Sequence, residues 1–158
     1  MAFSRRRNYR TAASIAAFVA FILVLIFGSP WYRDWADDAN RGVFLTTLGW
    51  PAWWIDDDVP LRDLLAASLK AILLIVFTFG FVTLMAGAQL SRARGGVSSF
   101  LVGWAAYMFA AALAALIAAA IVTDPGPGGA VEAAADGARY GLIVGWIVGL
   151  ASMAGRRP

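Results

Sequence analysis

The chain of 158 residues contains no cysteine, no histidine and a single lysine. Without cysteine there can be no disulfide, no thiol nucleophile and no cysteine-bound zinc or iron–sulfur cluster. Without histidine there can be no histidine-ligated haem and no Ser-His or Cys-His pair of the hydrolase type. Carboxylates, hydroxyls and arginine remain for chemistry, so we predict a protein that is not an enzyme and has no cofactor or metal site.

Charge is also scarce, since charged residues make up 15% of the chain and hydrophobic residues 61%, with a mean hydropathy of +0.71. This composition is too apolar for a water-soluble domain and predicts a single membrane domain over residues 1–158. The calculated isoelectric point is near 9.8. Because the excess arginine lies at the ends of apolar segments, we assign it to anionic lipids at the cytoplasmic face and expect no nucleic-acid partner.

Four apolar segments are predicted to cross the bilayer as helices, each of which needs about 20 residues to do so. They cover residues 11–28, 64–90, 97–123 and 133–154. The last has a short purely apolar part, so we expect the alanine-rich stretch before it to extend the helix outward. Glu132, Asp136 and Arg139 then lie on neighbouring turns, where opposite charges can pair. The predicted fold is an all-α integral membrane four-helix bundle.

The first apolar segment also resembles a secretory signal peptide, because a cluster of arginines precedes it. A signal peptide, however, has a shorter apolar core and ends at small residues in an A-x-A-like pattern. This segment ends in Phe27, Gly28, Ser29 and Pro30. We therefore interpret it as transmembrane.

The distribution of charge predicts how the helices are oriented. All ten acidic residues fall within residues 34–63 and 124–136. Eight of the thirteen basic residues form clusters elsewhere, namely Arg5, Arg6, Arg7 and Arg10, then Arg92 and Arg94, and finally Arg156 and Arg157. Because arginine-rich segments stay in the cytoplasm, we predict a multi-pass protein of the inner (plasma) membrane, with both termini cytoplasmic and outer loops at 29–63 and 124–132.

The first outer loop carries five of the seven tryptophans, namely Trp31, Trp35, Trp50, Trp53 and Trp54. Indole rings favour the membrane interface, so we predict that these residues are interfacial anchors, with a substrate or partner surface as the alternative. Residues 43–48 are apolar but too short to span, and Gly49 and Pro51 indicate a helix stop. We expect a short element that lies on or dips into the outer leaflet.

The last predicted helix carries a glycine at every fourth position, at Gly137, Gly141, Gly145 and Gly149. Such a stripe lets another helix backbone approach closely in a membrane. The third helix offers alanines at the same spacing, at Ala106, Ala110, Ala114 and Ala118. We predict a helix-packing interface within the chain, and the alternative is an oligomer interface or contact with another membrane subunit.

Lys70 is the only formal charge inside the conservative limits of a predicted span. An intramembrane charge is a candidate functional residue. A position about twenty residues from the cytoplasmic end places Lys70 near the outer boundary, where its side chain can reach water. Asp63, seven positions earlier, could attract it. Snorkelling and a role in an ion pathway are the two interpretations.

These features predict a small non-enzymatic membrane protein that acts as an accessory or scaffold subunit of an envelope, transport or conjugative assembly. Its expected partners are the lipid bilayer and either further copies of itself or other membrane subunits. The preference for arginine over lysine, with abundant alanine and glycine, is typical of a GC-rich bacterial genome. The alternative is a homo-oligomeric pore or a holin-like permeabilising protein, which would use the same glycine stripe.

The predicted orientation can be tested by cysteine labelling, because the chain has no cysteine of its own. We expect Asn40→Cys to react with a membrane-impermeant maleimide on intact cells, since residue 40 lies in the acidic outer loop. The matched variant Ser91→Cys, beside Arg92 and Arg94 between the second and third predicted spans, should react only after permeabilisation. The reverse pattern would show that the orientation is inverted.

Overall fold

A computed structural model describes residues 2–38, 42–53, 60–89, 96–123 and 126–154, with side chains placed at 13–36, 44–53, 60–85, 96–121 and 126–154. The described part of the chain is helical and contains no strand. The helices are α1 (Ala2–Phe27), α2 (Pro30–Asp38), α3 (Val43–Leu48), α4 (Leu61–Gln89), α5 (Gly96–Ala118) and α6 (Gly126–Ala154), and α5 widens into a π-helical turn at Ala119–Thr123.

The long helices have the length and composition of membrane spans. Three of them, within Leu61–Met85, Gly96–Ile121 and Gly126–Ala154, are apolar enough to cross a membrane by themselves. The described part of α1 qualifies together with α2, as Ala13–Phe27 and Pro30–Ala36 with a bend of 59° between them. The predicted all-helical fold is therefore confirmed, and the structure contains three or four candidate spans where the sequence predicted four.

The last long helix begins earlier than the sequence suggested. We expected residues 124–132 to be a loop, but α6 already begins at Gly126, which has a positive φ of 75°. Glycine adopts this conformation without strain, and Pro127 then occupies a first-turn position where its missing N–H is not needed. Reading the proline and glycines as a loop was wrong, because at a helix start these residues are compatible with the helix.

A corner at residues 28–30 separates α1 from α2. Pro30 has no N–H and cannot continue the hydrogen-bond ladder of α1. Ser29 caps the new helix, since its Oγ accepts from the backbone N–H of Tyr32 at 3.3 Å and donates to the carbonyl of Ile26 at 2.8 Å. Gly28 is needed at the corner, because a Cβ there would lie 2.5 Å from the carbonyl oxygen of Pro51.

The four long helices pack side by side, with α1 and α5 each contacting both α4 and α6. The most extensive contact is between α5 and α6. The space that they enclose is filled by fully buried side chains of mixed size, among them Leu74, Val82, Tyr107, Tyr140, Val144 and Val148. The buried hydroxyls of Thr78 and Ser152 bond within their own helices, to the carbonyls of Leu74 at 2.6 Å and Val148 at 2.9 Å, so these polar groups are satisfied away from water.

The glycine repeat of α6 lies against α5 of the same chain. A Cβ at Gly141 would be 2.5 Å from the Cα of Met108, and one at Gly149 would be 2.7 Å from the carbonyl oxygen of Phe100. The indole of Trp104 lies over Gly145 and donates to the carbonyl of Leu142 at 3.0 Å. The nearest atoms thus belong to Phe100, Trp104, Met108 and Ala111 rather than to the expected alanine row of α5.

This packing predicts opposite effects for the same substitution at two glycines. Gly141→Ala should lower the free energy of unfolding by about 1–3 kcal/mol, because the added methyl meets the backbone of α5. Gly80→Ala in α4, where nothing lies within 4 Å of the added Cβ, should raise it by roughly 0.5–1 kcal/mol through helix propensity. Unfolding in mixed micelles, followed by far-ultraviolet circular dichroism, measures both. Equal effects at the two sites would contradict this description of the α5–α6 contact.

Candidate functional site at the cap end of the helices

The centre of the helix assembly contains a pair of buried tyrosines. Tyr107 and Tyr140 are completely inaccessible to solvent, and their hydroxyl oxygens lie 2.9 Å apart in a hydrogen bond. Each lies about halfway along its helix, on α5 and α6 respectively. Each phenol is the other's hydrogen-bond partner, so neither hydroxyl is buried without one.

Trp50 lies directly on this pair from the side of the α1–α4 connection. Its ring stacks on Tyr140 with centroids 4.9 Å apart and planes inclined by 22°. The position of Trp50 follows from the end of α3, where the backbone N–H groups of Gly49 and Trp50 donate to the carbonyls of Thr46 and Thr47 at 3.1 Å. The ammonium of Lys70 also lies over this indole, 4.7 Å from the ring centroid. A cation over an indole face is attracted by the ring quadrupole.

The described part of the connection forms a packed cap, which we define as residues 28–38 and 42–53. Trp53 donates from its indole to the carbonyl of Val24 at 3.1 Å, and its backbone N–H donates to Gly28. Tyr32 donates from its hydroxyl to the carbonyl of Leu45 at 3.2 Å and packs edge-on against Phe27. These bonds join α1, α2 and α3, so the cap is part of the folded core.

The five predicted anchor tryptophans lie in different environments. Trp31 is 74% exposed and Trp35 38% exposed, both on α2. Trp50 and Trp53 make the inward contacts described above, and Trp54 lies outside the described residues. The predicted anchors therefore do not share one role. Some of their rings face outward, and others connect the cap to the helices.

A cleft of about 670 Å³ opens between the cap, the first third of α4 and the middle of α6. Its polar lining comprises Arg33, Thr46, Thr47, Lys70, Asp136 and Arg139, and its apolar lining includes Trp50, Leu142 and Ile143. We call this space the cap cleft. Three cations and one carboxylate line it. The aliphatic stem of Arg33 reaches it across Gly49, where an added Cβ would lie 3.2 Å from the arginine Cγ.

A smaller cavity of about 330 Å³ adjoins the cap cleft and shares Trp50, Ala67, Lys70 and Asp136 with it. Asp63 lines this second cavity, and Ala119 of the π-helical turn lines it as well. The expected attraction between Lys70 and Asp63 does not bring them into an ion pair, although both face the same space. Lys70 thus lies at the junction of two cavities.

The predicted charge pairing on α6 is present. Arg139 donates from a guanidinium nitrogen to Asp136 at 3.1 Å, one turn apart. Both side chains are largely exposed, so the pair contributes little to stability, about 0–1 kcal/mol for bridges of this type. The effect of this ion pair is confined to the cap cleft, where it partly neutralises the one carboxylate.

Sequence reasoning did not find most of this site. Lys70 and Trp50 had been singled out, but not as neighbours. The contribution of Arg33 and Arg139 to one cleft and the pairing of Tyr107 with Tyr140 were missed. The only signal in the sequence was a single tyrosine near the middle of each of two otherwise apolar spans. Where side chains are placed, no group of three or more acidic residues could hold a metal ion.

The fold and the site together define an all-helical membrane protein with an aromatic and cationic cleft at one end of its spans. No family model, no curated protein and no solved structure matches the chain.

The tyrosine pair predicts a non-additive effect on stability. Tyr107→Phe should lower the free energy of unfolding by about 1–3 kcal/mol, because it leaves the buried hydroxyl of Tyr140 without a partner. Tyr140→Phe should act similarly. The double variant should be closer to wild type than either single variant, since both hydroxyls are then absent. A double-mutant cycle of unfolding free energies measures this, and additive losses would show that the hydrogen bond is not formed.

Proposed function

We propose that the protein is a small non-enzymatic accessory or scaffold subunit of a bacterial envelope, transport or conjugative assembly. In this proposal it is a four-helix bundle in the inner membrane, with both termini in the cytoplasm and the tryptophan-rich cap at the outer interface. The arginine clusters and the acidic windows of the sequence support the orientation.

The observation that carries the proposal is the unequal burial of the spans. Only 22% of the apolar window of α4 is buried inside the protein, against 44% in both α5 and α6. The outward face of α4 is apolar, with Leu65, Ile72, Val76, Phe79 and Leu84 exposed. Gly80 lies beside this row with nothing within 4 Å of its added Cβ. A neighbouring helix could therefore approach α4 closely, as small residues permit in membranes.

The glycine repeat of α6 does not serve as the intermolecular surface in this proposal. Its face is already occupied by α5, so a partner would have to displace α5 to reach it. Association must instead use surfaces that remain outward in the folded chain. This favours contact through α4 with a helix of another subunit.

The alternative, a homo-oligomeric or holin-like pore, has less support. The interior of one chain is filled, so an aqueous pore would have to form between copies. A pore wall needs polar side chains along a helix, whereas the exposed residues along the middle of α4 are aliphatic and aromatic.

Photocross-linking can test contact through α4. A benzoylphenylalanine at Phe79, which is 41% exposed on α4, should give a stoichiometric adduct of defined mass in native cells. The matched control is the same replacement at Trp146, 47% exposed on α6, which should give little adduct. Native mass spectrometry of the solubilised wild type then assigns the partner.

The outcomes separate the proposals. A hetero-complex trapped at Phe79 supports the accessory subunit. Adducts between copies, together with dye leakage from liposomes that contain the purified protein, support the pore instead. A wild type that is purely monomeric and gives no adduct at Phe79 contradicts both.

A further inference from the structure

We propose that the cap cleft binds a phosphate-bearing amphiphile from the surrounding membrane, with the phosphate held by Lys70, Arg33 and Arg139 and the acyl chain lying along α6. This inference does not depend on the proposed accessory function, because it concerns a ligand site inside one chain.

The first argument is the state of Lys70. Its side chain is half-buried at the junction of the two cavities, and among the described residues its ammonium has neither a carboxylate partner nor a hydrogen-bond acceptor. The ammonium lies over the ring of Trp50, 4.7 Å from its centroid. Withdrawing an ammonium from water is unfavourable unless an anion or acceptors replace its hydration. The ring offsets part of this cost, and an anion in the cap cleft would offset more.

The second argument is the balance of charge. The cap cleft is lined by Arg33, Lys70 and Arg139, and its single carboxylate, Asp136, accepts from Arg139 at 3.1 Å. The adjoining cavity adds the carboxylate of Asp63 and no further cation. Cations therefore outnumber carboxylates in the lining of the larger space. Guanidinium and ammonium groups together are typical of phosphate sites, because arginine can donate two parallel bonds and lysine adds a compact charge.

The third argument is the apolar exit from the cleft. Leu142 and Ile143 line it, and Leu142 is 52% exposed at the surface of α6. Trp146 and Leu150 follow on the same face at spacing four, 47% and 50% exposed. This row leads from the cations toward the far end of the helix. An acyl chain can follow it in contact with lipid, while a headgroup fits a cleft whose volume lies within the roughly 300–1,000 Å³ usual for ligand sites.

Native mass spectrometry of the delipidated full chain tests the proposal with three probes. Phosphatidylglycerol should bind with one tight site. Phosphatidylcholine with identical acyl chains should bind more weakly, because its choline cation opposes the cationic cleft. Inorganic phosphate should bind more weakly than phosphatidylglycerol, because it cannot use the apolar row of α6. Tight phosphate binding without preference for the lipid would overturn the amphiphile assignment.

Variants of the cleft identify the site. Lys70→Met should lower the affinity for phosphatidylglycerol about tenfold or more, the effect expected from losing one charge-assisted hydrogen bond. Arg139→Gln should weaken binding in the same direction, and since its side chain is largely exposed the variant is expected to fold. The matched control is Arg62→Met, which removes an exposed charge of α4 outside both cavities and should bind as wild type does.

A gain of affinity provides the sharpest readout. Asp136→Asn removes the only carboxylate of the cap cleft and frees Arg139 for the ligand, so phosphatidylglycerol should bind more tightly than to wild type. A merely structural role for Asp136 would not produce this gain. Unchanged affinity in folded Lys70→Met, Arg139→Gln and Asp136→Asn would overturn the proposal.

Discussion

The close approach of α6 to α5 is the constraint on which the rest of the structure depends. Lipid supplies no hydrophobic force that would press two apolar helices together, so contact between backbones has to come from packing of small residues. The absence of side chains at Gly141 and Gly149 permits this contact, and Trp104 occupies the space over Gly145. The same approach brings the hydroxyls of Tyr107 and Tyr140 to within 2.9 Å.

The site follows from that contact in steps. Tyr140 offers a flat, buried ring on which Trp50 stacks. The ammonium of Lys70 in turn lies over the ring of Trp50. Trp50 and Lys70 also line the cap cleft, together with Arg33 from α2 and Arg139 from α6. The charge of Lys70 would be unfavourable in an isolated span. In the folded chain it is stabilised by contacts that lead from the glycines of α6 through Tyr140 to Trp50.

The charge of the cap cleft differs from the charge that the residue counts of the sequence suggest. All ten acidic residues of the chain fall within 34–63 and 124–136, and the first of these windows overlaps the cap, so the sequence indicates an acidic surface. Yet the cap cleft is lined by three cations and one carboxylate. Folding gathers Arg33, Lys70 and Arg139 from segments that are far apart in the chain, and no window of the sequence contains all three.

Individual elements differ in how well sequence reasoning anticipated them. The long helices, the short element at 43–48 and the pairing of Asp136 with Arg139 follow from local rules of length, turn chemistry and helical spacing. The loop expected at 124–132 was wrong because proline and glycine favour a helix start as well as a turn. The facing residues of the glycine repeat were also misjudged, since spacing identifies a face of α5 but not which face turns toward α6.

Composition and periodicity were sufficient for the helical membrane architecture, because hydropathy and helix length are properties of contiguous residues. They also identified Lys70 and the glycine repeat as unusual. What they could not supply was the environment of those residues. The tyrosine pair, the contacts of Trp50 with Tyr140 and Lys70, and the cationic cleft exist only once helices and cap have packed, because each joins side chains whose separation in space is unrelated to their separation in sequence.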